Sequence, residues 1–149
     1  MTMTEQAGLN ALFMYAGQGR ARLLAYLRDV GAEEWEWTPE EGTPSAREAV
    51  TGLLAEEELL RGRFVAAAQS AHSLPRRPAM QPADVAETVK RLSAVRAATL
   101  AAVRAAPPER HEDAARFLGS LAFADGAVFG HVALLLRLMD PLRASPAIL

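Results

Sequence analysis

Apolar residues recur along the chain at spacings of three and four, and Pro and Gly cut that rhythm into four long stretches. The first, from about Glu5 to Val30, puts Leu9, Leu12, Phe13, Ala16, Leu23, Leu27 and Val30 on one helical face, and Gly31 closes it. The second opens at Thr43-Pro44-Ser45, where Ser45 and Glu48 stand at capping-box spacing. It carries Ala46, Val50, Leu53, Leu60 and Phe64 and fades near Ser70. The third runs from about Ala83 to Ala105 with Val85, Val89, Leu92, Thr99 and Val103 in its stripe, and Pro107-Pro108 stops it. The fourth, about Arg116 to Met139, carries Leu118, Leu121, Val128, Val132, Leu135 and Met139 and ends before Pro141.

The stretches between are of different kinds. Residues 32–42, with Trp35 and Trp37, read as an ordered connector covering one end of a bundle. Residues 73–82 hold Pro75, Pro78 and Pro82 and cannot be regular helix. Residues 109–113 read as a polar connector, and 142–149 as a loose tail. Four helices of this length predict one all-α domain over residues 1–149, a four-helix bundle.

The same positional arithmetic puts three charges inside the apolar stripes. Arg20 falls beside Leu23 and Leu27, Glu57 between Leu53 and Leu60, and Asp125 among Leu121, Phe129 and Val132. A buried charge is tolerated only when paired. The expectation is therefore a partly buried polar cluster in which Arg20 bridges to Glu57, to Asp125, or to both.

Composition narrows the picture. With 31 Ala and 20 Leu the chain is rich in strong helix formers, and 6% aromatic content speaks against a β-sandwich. There is no cysteine, which excludes disulfides, thiolate zinc sites, iron–sulfur clusters and cysteine nucleophiles. A net charge of −2 gives no broad positive field, so no nucleic acid partner is expected. No apolar run reaches the roughly 18 residues of a membrane span, and no basic-then-apolar leader opens the chain. The expectation is a cytoplasmic protein with no membrane partner.

Candidate chemistry is sparse. His72 and His111 fall in polar connectors and His131 on the fourth helix, with no two at the i, i+3 or i+4 spacing of a helical metal site. Glu56, Glu57 and Glu58 are consecutive, about 100° apart around a helix, and cannot all face one ligand. No phosphate-binding loop, nucleophile elbow or H-E-x-x-H is present. Gly126 and Gly130, spaced as G-x-x-x-G, read as a close-packing seam of the kind a homodimer uses.

Three stretches resemble the DinB/YfiT-like superfamily. Glu34-Trp35-Glu36-Trp37-Thr38-Pro39 followed by Thr43-Pro44-Ser45-Ala46-Arg47-Glu48 is similar to the passage from the family's first connector into its second helix. Residues 92–100 resemble its third helix. Ala124-Asp125-Gly126-Ala127-Val128-Phe129-Gly130-His131-Val132 is similar to its terminal "H-D-x-x-H-x-G-Q-I" helix. The resemblance implies a four-helix bundle of up-down-down-up order, often dimeric, an order that the long proline-rich link suits. It also implies a divalent metal, nickel or zinc, on three histidines, and in some members metal-dependent thiol S-transferase activity.

Counted along the motif, those three histidine positions fall on Gly52, Ala124 and Val128, none of which has a ligand atom. The motif's Asp and Gly remain as Asp125 and Gly130, and its Gln is replaced by His131. The expectation is a metal-free DinB-like bundle without cofactor, a binding or interaction protein forming a homodimer. One alternative is a divergent nickel- or zinc-dependent transferase or hydrolase with a relocated site at His131 and Glu56. The other is a carrier holding a small-molecule ligand in the bundle pocket.

Overall fold

The structure is a computed structural model and describes residues 2–68 and 83–143. The described residues form five α-helices: α1 (Met3–Leu27), α2 (Ala32–Glu36), α3 (Ala46–Ala68), α4 (Val85–Arg104) and α5 (His111–Met139). A single 3-10 turn, Pro108–Arg110, precedes α5, and there is no strand among the described residues. Side-chain caps set the helix starts. Thr2 and Glu5 form a reciprocal capping box on α1, and Asp84 accepts from the Glu87 amide at the start of α4. Ser45 accepts from the Glu48 amide at 3.2 Å and begins α3.

The helix limits differ from the sequence expectation in three places, each with a local cause. The first helix stops at Leu27 rather than Val30, because tight turns from Asp29 to the Tyr26 carbonyl and from Val30 to the Leu27 carbonyl unwind it before Gly31. The connector at 32–42 contains the short α2, whose start is capped by the Glu34 carboxylate on the Gly31 amide. Its Trp35 is buried, while Trp37 is half-buried. After α2 the chain turns at Gly42, whose φ of +90° is a conformation that suits glycine.

The stretch at 109–113 is not a separate connector. Pro107 and Pro108 start the 3-10 turn that runs into α5, so His111 is helical. The apolar run of α5 is interrupted by Asp125. With the turn before it, α5 is long and apolar enough to cross a membrane on length and composition alone. The proline-rich connection at 73–82, His72 and most of the expected tail lie outside the described residues.

α1 packs against α4 and α5, and α3 against the same two helices. Tyr26 near the end of α1 meets Phe129 in the later half of α5, with ring centroids 5.1 Å apart. Phe64 in the later half of α3 stacks on Phe117 near the start of α5 at 5.4 Å. Arg104 at the end of α4 lies over the Phe13 ring of α1.

The apolar core is in two parts. One holds Leu23, Leu27, Trp35, Val50, Leu53, Leu92, Val132 and Leu136. The other holds Leu9, Ala16, Phe64, Val103, Phe117, Leu118 and Leu121. Along every long helix a charged residue stands between the two parts.

Candidate functional site

Each long helix contributes one charged side chain to a layer between the two apolar clusters. α1 supplies Arg20, α3 Glu57, α4 Arg96 and α5 Asp125, all between 1% and 3% exposed. Arg20 Nη2 donates to Glu57 Oε1 at 2.6 Å and to Asp125 Oδ1 at 3.0 Å. Arg96 donates from Nε to Glu57 Oε2 at 3.1 Å and from Nη2 to Oε1 at 2.8 Å. It also donates from Nη1 to Asp125 Oδ2 at 2.8 Å and from Nη2 to Oδ1 at 3.2 Å. Every carboxylate oxygen therefore accepts from a guanidinium, and the four formal charges cancel.

The arginines also hold the backbone of the helix opposite. Arg20 Nη1 on α1 donates to the Leu92 carbonyl of α4 at 2.7 Å, and Arg96 Nη1 on α4 donates to the Ala16 carbonyl of α1 at 2.7 Å. Each guanidinium thus grips a carbonyl one turn before the other arginine.

Burial alone would push the Glu57 carboxyl up, toward protonation. The Arg96 hydrogen bonds and the charges of Arg20 and Arg96 outweigh it and hold Glu57 below the ordinary carboxylate value of 4.5. For Arg96, burial works against the charged form, and the bonds to Glu57 with the Asp125 charge overcome it and raise its pKa. Glu57 is accordingly a fixed anion, unsuited to act as a general acid.

The sign of the resulting pH dependence follows from the depressed carboxyl. Its contribution to stability is present above 4.5 and is lost as pH falls through the lower folded-state value. Urea unfolding midpoints should fall as pH drops below 4.5, and a Glu57→Gln variant should show a flatter profile over the same window. Parallel profiles for the two proteins would contradict the assignment.

Arg20, Glu57 and Asp125 are thus in one cluster, joined by Arg96, which the sequence reading passed over. The signal for it was present. Val89, Leu92, Arg96, Thr99 and Val103 follow one another at spacings of three, four, three and four residues, so Arg96 lies in the stripe of α4. All five are buried.

His131 and Glu56 are not brought to one place. His131 Nε2 lies 2.9 Å from the Pro44 carbonyl, one residue before the Ser45 cap. Glu56 lies eleven residues past that cap, about 16 Å along α3 at 1.5 Å per residue. His111 is half-buried at the first position of α5. A surface groove of about 650 Å³ beside it, between Glu5, Leu9, Leu12 and Pro108, is away from the charged layer.

The metal implied by the family motif does not fit the residues present. Gly52, Ala124 and Val128 are half-buried and carry no donor atom, and Ala124 and Val128 pack on the apolar core. The two buried carboxylates of α3 and α5, Glu57 and Asp125, are saturated by guanidiniums. Among the described residues no group of three or more His, Asp or Glu could hold an ion.

No curated protein and no solved structure matches the chain. The sequence profile of the DinB superfamily matches residues 16–135, a span containing all four members of the buried ionic layer. On that match, over an all-helical frame, the chain belongs to the DinB superfamily.

Proposed function

We propose that this chain is a metal-free bundle of up-down-down-up order that works as a binding or interaction protein, as a cytoplasmic homodimer without cofactor. The observation that carries the reading is the saturation of Glu57 and Asp125 by Arg20 and Arg96. A layer of this kind positions helices; it offers no free base, no acid and no open coordination site. The order of the helices is supported by the pairs Tyr26–Phe129, Phe64–Phe117 and Arg104–Phe13, which join like ends of α1 and α5 and opposite ends of the other pairs.

Elemental analysis of protein purified without a histidine tag tests the reading. The expected result is nickel, zinc and manganese well below one ion per chain, with no change in thermal midpoint when these ions are added. A stoichiometric ion that disappears in His131→Ala would overturn it and establish the relocated metal site.

A further inference from the structure

Three consecutive residues of α2 reach three different parts of the molecule. The Glu34 carboxylate pairs with the Arg143 guanidinium beyond α5. The Trp35 indole donates to the Ala83 carbonyl ahead of α4 at 3.0 Å. The Glu36 carboxylate pairs with Arg47 of α3 at 3.0 Å. A helix of five residues has too few internal hydrogen bonds to stand alone, since isolated helices below about 12–15 residues are marginal in water. α2 is therefore folded because it is held, and its docking is the kind of local equilibrium that opens without unfolding the rest.

The hold from beyond α5 has no apolar packing of its own. The Asp140 amide donates to the Leu136 carbonyl and ends α5. The Asp140 carboxylate then accepts from the Leu142 amide at 3.1 Å and its carbonyl from the Arg143 amide at 3.0 Å, which turns the chain. Asp140, Pro141 and Leu142 are exposed, and Arg143 is half-buried. The Arg143 guanidinium lies over the Tyr26 ring of α1, 5.8 Å from its centroid, and meets Glu34 with the two side chains 20% and 21% exposed. Glu34 has a second duty. Its Oε1 accepts from the Gly31 amide at 2.9 Å and starts α2, while its Oε2 takes Arg143. The carboxylate that ties down the turn is thus the one that starts the short helix.

We propose that residues 140–143 form a strap over this end of the bundle, with the Arg143–Glu34 ion pair as its catch, and that drawing Arg143 away loosens α2. An element with a docked and an undocked state responds to any contact made in only one of them. The catch is such a contact. Opening α2 takes Trp35 away from Leu27, Val50 and Leu92, and frees the Ala83 carbonyl beside the Asp84 cap of α4. An event on the segment after α5 is thereby felt in the apolar core and at the start of α4.

Trp37→Phe leaves Trp35 as the one tryptophan, so acrylamide quenching then reports on its docking. In that background Arg143→Gln should make Trp35 easier to quench. It should also speed exchange of the Trp35 amide, which donates to the Gly31 carbonyl, by about threefold, the scale of a partly exposed ion pair. Glu34→Gln keeps an oxygen for the Gly31 amide and loses the charge, so it should give the same rise. The double variant should show no more than either single one. Amides around Arg20 and Arg96 should keep their rates. Arg116→Gln, which removes an exposed pair with Glu112 near the start of α5, should leave Trp35 as it was. A Trp35 amide that exchanges alike with and without Arg143 would overturn the proposal. A rise shared by the whole chain, or single effects that add in the double variant, would overturn it equally.

Discussion

Arg96→Met should lower the folding free energy by about 3–5 kcal/mol, the usual cost of removing one partner from a buried ion pair. The substitution leaves an apolar side chain of similar length in the stripe of α4, so lost packing contributes little. What remains is two carboxylates, Glu57 and Asp125, facing a single guanidinium in a buried layer. The Ala16 carbonyl also loses its side-chain donor. Chemical denaturation measures the effect directly, and a loss below about 0.5 kcal/mol, the range of a surface change, would show that the layer is not energetically coupled. A companion variant replacing Arg20, Glu57, Arg96 and Asp125 together with Met and Leu removes the desolvation cost along with the attraction. Its stability should match or exceed the wild type, as in other buried ionic clusters replaced whole. That contrast would assign the layer a role in choosing one helix arrangement rather than in adding net stability.

Trp35→Ala should cost about 3–5 kcal/mol, as loss of a buried aromatic does. The indole is 2% exposed and packs with Leu27, Val50 and Leu92 in one apolar cluster. Its Nε1 donates to the Ala83 carbonyl at 3.0 Å, immediately before the Asp84 cap of α4. One side chain therefore joins the connector after α1 to the start of α4. Trp35→Phe keeps most of the burial and gives up the hydrogen bond, so it should cost about 1 kcal/mol from that bond together with a smaller packing loss. Trp37→Ala, at a half-buried site two residues on, should cost much less. Equal losses at the two tryptophans would contradict the placement of Trp35 as the buried one.

The long helices were legible because their stripes are long enough for a period of 3.6 to show. α2 spans five residues, hardly more than one turn, and a single turn has no period to detect. His111 was misplaced for a different reason. Paired prolines end one helix, but Pro at a first helical position also starts the next, and the sequence does not say which role is meant. Within the ionic layer, Arg20, Glu57 and Asp125 each stand out as a charge among leucines, valines and phenylalanines. Arg96 is flanked by Ala97, Ala98 and Val95 in a chain where nearly every cation is arginine, and only its place between Leu92 and Thr99 marks it. The bonds to the Leu92 and Ala16 carbonyls could not be read at all, since they depend on how far α1 and α4 are displaced along each other.

That crossed grip governs how the molecule can loosen. A slide of α1 along α4 by one turn, about 5.4 Å, would carry Arg20 off the Leu92 carbonyl and off both carboxylates, and would take the Ala16 carbonyl away from Arg96. Small slips are opposed by the two carboxylate contacts of Arg20 and the two backbone contacts acting together. The bundle is therefore built to breathe by releasing its ends on either side of the charged layer, not by shear through its centre. Amide protons of α1 and α4 next to Ala16, Arg20, Leu92 and Arg96 should exchange with solvent as one cooperative group, later than those toward the helix ends.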